Sequence, residues 1–180
     1  MSKIVILTGS AHKNGASSLL ADNFEKGAQK TKNNIIRYDT AFLNVKGCKG
    51  CNYCRNNNGI CCQKDDFEKI SKSIIDSDIV VFVTPLYYFD MSAQLKTVID
   101  RFHAISNILN KKKKGTFLIT TQASPLEDTT KILVLHYKKI IDYLKWDDYG
   151  ILIAKGVMSS NDIINTTYLS QAERLGESIK

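Results

Sequence analysis

The chain has 180 residues, of which 43% are hydrophobic and 24% are charged. These values predict one globular domain over residues 1–180, and two prolines among ten glycines exclude a collagen-like or proline-rich chain. The net charge of +7 is uneven, because residues 1–62 carry nine Lys/Arg against three Asp/Glu and residues 63–180 carry sixteen against fifteen. The excess positive charge therefore belongs to the first third of the chain.

Short apolar runs alternate with longer amphipathic stretches along the chain. The apolar runs predict strands that are buried on both faces, at 3–8, 35–38, 79–84, 115–121 and 149–154. The amphipathic stretches predict helices at 17–30, from about 65, from Ser92, at 129–145 and at 164–179. Strands joined by helices favour a doubly wound, five-stranded parallel sheet in a three-layer α/β/α sandwich.

Three local features refine this interpretation. Asp65 and Glu68 have the D-x-x-E spacing of a capping-box variant, and Ser92 is a candidate N-cap for the next helix. The run Lys111–Lys114 connects a helix to a strand, so we expect it to be a solvent-exposed turn rather than a nucleic-acid contact.

The loop after the first strand is the first candidate for a binding site, since ligands of open parallel sheets sit beyond the carboxyl ends of the strands. Gly9–Ser18 carries three hydroxyls, one Lys and one His, and it leads into a helix whose free N–H groups favour a phosphate. It matches neither G-x-G-x-x-G nor the Walker A pattern. A polar turn with an ordinary serine cap is the alternative interpretation.

The loops after the third and fourth strands are the other candidates. Tyr87, Tyr88 and Phe89 place three aromatic rings at the predicted mouth of the sheet, where they could stack on or border a flat ligand. The alternative is that these rings pack on a helix or form a subunit interface. The small polar residues of 120–124 would supply a third wall.

Five cysteines lie within fifteen positions, inside an irregular segment at about 42–63. The sequence has no recognisable secretory signal and no apolar stretch of about 20 residues, so we expect a cytoplasmic protein with reduced thiols and no membrane partner. The pattern Cys48-x2-Cys51-x2-Cys54-x6-Cys61 is typical of iron–sulfur ligation, with Cys61 or Cys62 completing the set. Zinc, or free thiols in a loop that contacts another subunit, are the alternatives.

Taken together, these motifs resemble the NADPH-dependent FMN reductase and iron–sulfur flavoprotein family of the flavodoxin-like superfamily. The resemblance covers roughly residues 3–125 and includes Thr84-Pro85-Leu86-Tyr87-Tyr88, Ser92–Lys96 and Ile99-Asp100-Arg101. It implies the strand order 2-1-3-4-5, bound FMN, NAD(P)H as donor, and a homodimer or homotetramer. His12 stands where the family usually has arginine. The implied phosphate contacts are Ser10, His12, Asn14, Gly15, Ser17 and Ser18; the implied ring contacts are Pro85, Leu86, Tyr87, Tyr88, Thr121 and Gln122; and the implied [4Fe–4S] ligands are Cys48, Cys51, Cys54 and Cys61.

The sequence therefore predicts an FMN-dependent oxidoreductase that passes hydride or electrons from NAD(P)H to a second acceptor, such as a flavin or a quinone. No side chain is predicted to act as acid or base, because the flavin carries the chemistry. The first alternative is a single-electron relay between a ferredoxin-like donor, a [4Fe–4S] cluster and FMN. The remote alternative is a metal-stabilised nucleic-acid-binding module, and we expect no nucleic-acid partner.

Overall fold

The computed structural model describes residues 1–179 and contains a six-stranded sheet flanked by helices. The strands are β1 (Lys3–Thr8), β2 (Asn34–Asp39), β3 (Ile79–Tyr87), β4 (Asp90–Met91), β5 (Gly115–Thr121) and β6 (Asp147–Ala154). The helices are α1 (Ala16–Lys30), α2 (Tyr53–Asn56), α3 (Phe67–Asp76), α4 (Ala93–Asp100), α5 (Ser106–Leu109), α6 (Lys131–Leu144), α7 (Ser160–Ile164) and α8 (Tyr168–Glu177). Short 3₁₀ turns cover Thr40–Phe42 and Arg101–Ala104.

Five of the strands run parallel in the order β2-β1-β3-β5-β6. Counted as five parallel strands, this is the predicted flavodoxin-like order 2-1-3-4-5, which is confirmed. The sixth strand, β4, has two residues and pairs antiparallel with the end of β3. It forms a hairpin that the sequence did not predict.

Both faces of the sheet are buried, which gives the predicted three layers. Val5 and Leu7 of β1 belong to a core that also contains residues of α3, α4 and α6. Their neighbours Ile4 and Ile6 belong to a second core on the opposite face, with residues of α1, α7 and α8. Because side chains alternate along a strand, a strand covered on both faces reads as the continuous apolar run seen in the sequence.

Several predicted boundaries differ from the structure. The helix predicted over 164–179 is α8, which begins later, at Tyr168. A separate short helix that was not predicted, α7, precedes it and begins at a capping box formed by Ser159 and Asp162. The capping box predicted at Asp65 and Glu68 is wrong. Asp65 lies outside α3 and accepts hydrogen bonds from Phe67 N and from a distant arginine, and Glu68 pairs with Lys72 instead.

The prediction of a fully exposed turn at Lys111–Lys114 is wrong for its last residue. Lys114 is 2% exposed, and its ammonium group donates to the backbone oxygens of Ile75 and Ser77. These oxygens lie at the C-terminal end of α3, where a cation is favourable. Lys111, Lys112 and Lys113 are exposed as predicted.

Helices α1 and α8 cross at two glycines. A Cβ atom on Gly27 would overlap the backbone oxygen of Glu173, and one on Gly176 would overlap the backbone oxygen of Phe24. The two helix backbones can approach this closely only because neither position carries a side chain. Within residues 1–179, none of the helices combines the length and the apolar character needed to cross a membrane.

Candidate functional site

The loops after β1, β3 and β5 meet at one edge of the sheet. Thr8 is in register with Val83, and Thr84 is in register with Thr120, so three neighbouring strands end side by side. The backbone N–H of Gly9 continues the pairing by donating to Val83 O at 2.8 Å. The polar and aromatic residues singled out in the sequence therefore follow strands that are adjacent in space.

Ser92 connects the first two of these loops. Its side chain is fully buried, and its Oγ donates to Gly9 O at 2.7 Å and accepts from Leu95 N at 3.4 Å. Its backbone N–H donates to Thr84 Oγ1 at 2.9 Å. The predicted N-cap of α4 is thus confirmed, and the same hydroxyl also fixes the start of the loop after β1.

Residues 9–15 form a tight turn that is closed by its own hydrogen bonds. Ser10 Oγ accepts from His12 N at 3.1 Å, and Gly15 N and Ser18 Oγ donate to His12 O at 3.1 and 3.0 Å. The side chains of Ser10, Ser17 and Ser18 are buried, whereas His12 and Asn14 are exposed. The loop therefore presents exposed polar side chains above a rigid base.

The N-terminus of α1 opens into this turn and has no side-chain cap. Gly15 occupies the N-cap position, no side-chain cap bond is present among residues 1–179, and the first turn contains no acidic residue. A helix of 15 residues with free N–H groups at its start favours an anion there. These residues fit a phosphate group in both charge and donor supply.

The aromatic residues after β3 form the hairpin between β3 and β4. Leu86 pairs with Met91 and Tyr87 pairs with Asp90, which leaves Tyr88 and Phe89 as the two turn residues. Both turn residues have positive φ, 45° and 68°, a conformation that usually selects Gly or Asn. Tyr88 is 99% exposed, so its ring has no packing partner within the described residues.

His136 of α6 holds the base of this hairpin. Its Nδ1 lies 2.8 and 2.9 Å from the two carboxylate oxygens of Asp90. The contact joins the aromatic hairpin to the helix that follows the loop after β5. Pro85 and Leu86 are half-buried, and Tyr87 is exposed. Solvent exposure therefore increases along the last residues of β3.

The loop after β5 contributes buried polar atoms that have no partner among the described residues. Thr121 and Gln122 are buried, and Gln122 Nε2 donates to Ser124 O at 2.6 Å and to Leu126 O at 2.8 Å. Within the described part of the chain, Gln122 Oε1 and, near the end of β5, Thr120 Oγ1 have no hydrogen-bond partner. Because buried polar atoms are normally hydrogen-bonded, this edge has unused acceptor capacity for a ligand.

The five cysteines face one small cavity on another side of the molecule. Cys48, Cys51, Cys54, Cys61 and Cys62 all line a space of about 20 Å³, together with Arg101 and His103. Cys51 Sγ lies 3.5 Å from Cys62 Sγ, and all five thiols are free. The sequence pattern is thus brought together in space, and α2 (Tyr53–Asn56) is a short helix inside the segment that was predicted to be irregular.

The local environment favours a thiolate at Cys51. The backbone N–H of Tyr53 lowers the pKa of Cys51, with a further contribution from the Cys62 thiol, and the same thiol pair raises the pKa of Cys62. The thiolate is the form that binds metals and acts as a nucleophile. One thiol of the pair is therefore prepared to ionise first.

As the structure places them, the thiols do not form a metal site. Among residues 1–179, no group of three or more Cys, His, Asp or Glu side chains is placed to hold one metal ion. A cubane needs four thiolates spread around a larger body. The cavity has room for about one water molecule, so the thiols would have to move outward, which partly exposed cysteines can do.

The comparison with known proteins decides the family. Residues 2–147 match the family model described as NADPH-dependent FMN reductase. The chain belongs to the NADPH-dependent FMN reductase family. The family predicted from the motifs is therefore confirmed, and the match includes β1 to β5, all three loops and the cysteine segment.

Relatives of this FMN reductase family member have two kinds of name. An "Iron-sulfur flavoprotein" of Archaeoglobus fulgidus is 31% identical over 99 residues, which is 55% of this chain and 44% of that protein. A Bacillus subtilis protein, provisionally named an NAD(P)H-dependent FMN-containing oxidoreductase, is 26% identical over 184 residues, with 96% of each chain covered. The chain spans about half the length of the first iron–sulfur flavoproteins it matches.

Solved structures support the fold. The NAD(P)H:quinone oxidoreductase of Methanothermobacter marburgensis superposes with a TM-score of 0.78 at 16% identity, covering 98% of this chain and 95% of that one. At this level of identity the likeness establishes the doubly wound fold. It includes the C-terminal part of the chain that lies beyond the family match.

Three contacts at these sites were not predicted from the sequence. Ser92 was predicted as a cap, but its bond to Gly9 O was missed because the two residues lie 83 positions apart. The pairing of His136 with Asp90 joins residues 46 positions apart and was also missed. Arg101 was quoted as part of a motif and given no role, and its pairing with Asp65, 36 positions away, has no local sequence signal.

Proposed function

We propose that this chain is an FMN-dependent oxidoreductase that takes reducing equivalents from NAD(P)H and passes them to a second acceptor, such as a flavin or a quinone. The observation that carries the proposal is the uncapped N-terminus of α1, which opens into a closed serine turn beside two further loops. Membership of the NADPH-dependent FMN reductase family supports FMN as the ligand of this turn. The identity of the acceptor is an expectation from the sequence.

The phosphate group is assigned to the turn after β1. The N–H groups of the first turn of α1 supply positive partial charge, and Ser10, Ser17 and Ser18 supply hydroxyls next to them. His12 and Asn14 are exposed at the rim of the turn, where they can approach the phosphate from the solvent side. This assignment includes Gly15, which begins the helix without a side chain that would fill the turn.

The isoalloxazine ring is assigned to the space between the aromatic hairpin and the loop after β5. Pro85, Leu86, Tyr87 and Tyr88 would border its apolar surface, and Thr121 and Gln122 its polar edge. The unpartnered Gln122 Oε1 is a suitable acceptor for a ring N–H. Bound FMN supplies the hydride and electron chemistry, and the protein binds it, orients it and leaves a face accessible.

We further propose that Cys48, Cys51, Cys54 and Cys61 hold a [4Fe–4S] cluster, which would make the chain a single-electron relay to FMN. The convergence of the cysteines on one cavity favours this second function over free surface thiols. The iron–sulfur name of the archaeal relative agrees with it. The two sites lie at opposite ends of α4, a helix of eight residues and about 12 Å.

The FMN proposal is tested by flavin titration of the apoprotein. Asn14→Glu and Ser17→Glu place a carboxylate in the turn, and we expect each to weaken FMN binding by at least tenfold, which corresponds to about 1.4 kcal/mol of binding free energy. Ser170→Glu introduces the same charge on the exposed part of α8 and is the control. Unchanged FMN affinity in the turn variants, with intact folding by circular dichroism, would refute the assignment.

The cluster proposal is tested by the iron and acid-labile sulfide content of protein purified without oxygen. We expect the parent chain to bind both, Cys54→Ala to lose them, and Cys62→Ala to retain them if Cys61 is the fourth ligand. A colourless parent with FMN-binding capacity but no iron would leave the reductase proposal standing and reject the relay. We also propose a cytoplasmic homodimer or homotetramer without a nucleic-acid partner; gel filtration with light scattering checks the assembly.

A further inference from the structure

Arg101 is a buried cation at the C-terminal end of α4. Its side chain is 1% exposed, and its charge is balanced by Asp65, whose side chain is equally buried. Nη1 lies 2.8 Å from Asp65 Oδ2 and Nη2 lies 3.3 Å from Asp65 Oδ1, a two-bond arrangement typical of arginine. The ring of Phe67 lies 4.6 Å from the guanidinium carbon, which adds a cation–π contact.

The same guanidinium also binds the other side of the cysteine segment. Nη1 donates to the backbone oxygen of Lys46 at 2.7 Å. Lys46 precedes Cys48 by two positions, and Asp65 follows Cys62 by three positions. Asp65 itself accepts from Lys46 N at 3.1 Å, so both ends of the segment meet at one side chain from α4.

Arg101 reaches the cysteine cavity as well. It lines the space between the thiols, and its Nε is buried without a hydrogen-bond partner among residues 1–179. The N–H of Nε is therefore a free donor beside cysteine sulfur atoms, which are weak acceptors.

We propose that Arg101 is the positioning residue of the cysteine segment: it binds both ends of the segment at once and thereby brings Cys61 to the other cysteines. Lysine can replace this function only in part, because a single ammonium group lacks the planar fork that binds both carboxylate oxygens of Asp65 and the backbone oxygen of Lys46. The proposal concerns the shape of the segment, and it rests on the proposed cluster only where iron is the readout.

Limited proteolysis of the cluster-free, FMN-loaded protein tests the proposal directly. Trypsin sites at Lys49 and Arg55 lie inside the segment. We expect Arg101→Met to be cleaved at these sites at least tenfold faster than the parent, and Arg101→Lys to fall between the two. Lys111→Met is the matched control, because Lys111 is an exposed cation on a neighbouring cavity that also contains Cys54 and Arg55.

Two further measurements distinguish a role of Arg101 in the cysteine segment from a role in the stability of the whole fold. FMN retention reports on the candidate FMN site at the loops after β1, β3 and β5. We expect Arg101→Met to retain FMN at the parental level. Iron and sulfide content after anaerobic reconstitution should fall below a quarter of the parental value. Asp65→Asn, which keeps the guanidinium and removes its carboxylate partner, should open the segment in the same way if Arg101→Met fails to fold.

The results that overturn the proposal are specific. Cleavage within twofold of the parent in a folded Arg101→Met protein would show that the segment does not depend on Arg101. Loss of FMN together with cleavage throughout the chain, in both Arg101→Met and Asp65→Asn, would make the pair a support of the whole fold and would overturn the proposal. A parent protein without iron would refute the cluster proposal. The protease result would still test whether Arg101 positions the cysteine segment.

Discussion

The substitution Ser92→Ala removes one hydroxyl that serves two elements of the candidate flavin site. In the parent, Ser92 Oγ donates to Gly9 O, where the turn after β1 begins, and accepts from Leu95 N in the first turn of α4. Alanine has nearly the same size and leaves the backbone bond from residue 92 to Thr84 Oγ1 in place. The change therefore isolates the two hydrogen bonds of the side chain.

The expected loss of stability follows from burial. Gly9 O would lose a 2.7 Å hydrogen bond in a fully buried place, and a buried acceptor left without its partner costs about 1–3 kcal/mol. The cap bond is long, 3.4 Å, so its loss contributes near the lower limit of the cap range, about 0.5 kcal/mol. We expect the free energy of unfolding to fall by about 1.5–3.5 kcal/mol.

Urea unfolding of the apoprotein measures this change, and FMN titration measures its functional consequence. Because Gly9 begins the phosphate turn, we expect FMN to bind at least tenfold more weakly to Ser92→Ala, which is about 1.4 kcal/mol. Ser170→Ala, the same chemical change on an exposed part of α8, should stay within about 0.5 kcal/mol of the parent. A Ser92→Ala protein within that margin, with parental FMN affinity, would refute the reasoning.

Two further predictions concern packing and pH. Gly27→Ala should lower the free energy of unfolding by about 1–3 kcal/mol, because its Cβ would overlap the Glu173 oxygen; Gly47→Ala, which meets open space, should be neutral in the same urea assay. Burial lowers the pKa of Lys114 from 10.5 to about 8. Between these two pH values the unfolded chain binds more protons, so the stability of the parent relative to Lys114→Met should rise with pH, by up to about 3 kcal/mol. A stability difference that stays flat across this window would contradict the lowered pKa.

The fold was predictable because its signals are short-range. Each parallel strand contains a short apolar run, and each run appears at the predicted place with at most a few residues added. The order of the strands came with the family resemblance. The hairpin at Tyr88 and Phe89 was missed since its turn uses two aromatic residues at positive φ, where the sequence signal for such a turn is Asn or Gly.

The loops that form the candidate site could be predicted from the sequence, whereas the long-range side-chain contacts could not. The buried position of Lys114 depends on the end of α3 lying within reach, which no local pattern reveals. The pair of Arg101 and Asp65 spans 36 positions and crosses the cysteine segment. Contacts of this kind depend on how elements pack, and a single sequence contains no direct record of packing.

Because Lys46 and Asp65 both bond to the guanidinium of Arg101, the residues between them form a loop that could be exchanged as a unit. Since its two ends are adjacent in space, residues 47–64 leave and rejoin the sheet scaffold at nearly the same point. The entropic cost of closing such a loop grows only with the logarithm of its length. Evolution, or an engineer, can thus lengthen, shorten or exchange the stretch between these two residues while the strands and the flavin loops keep their register.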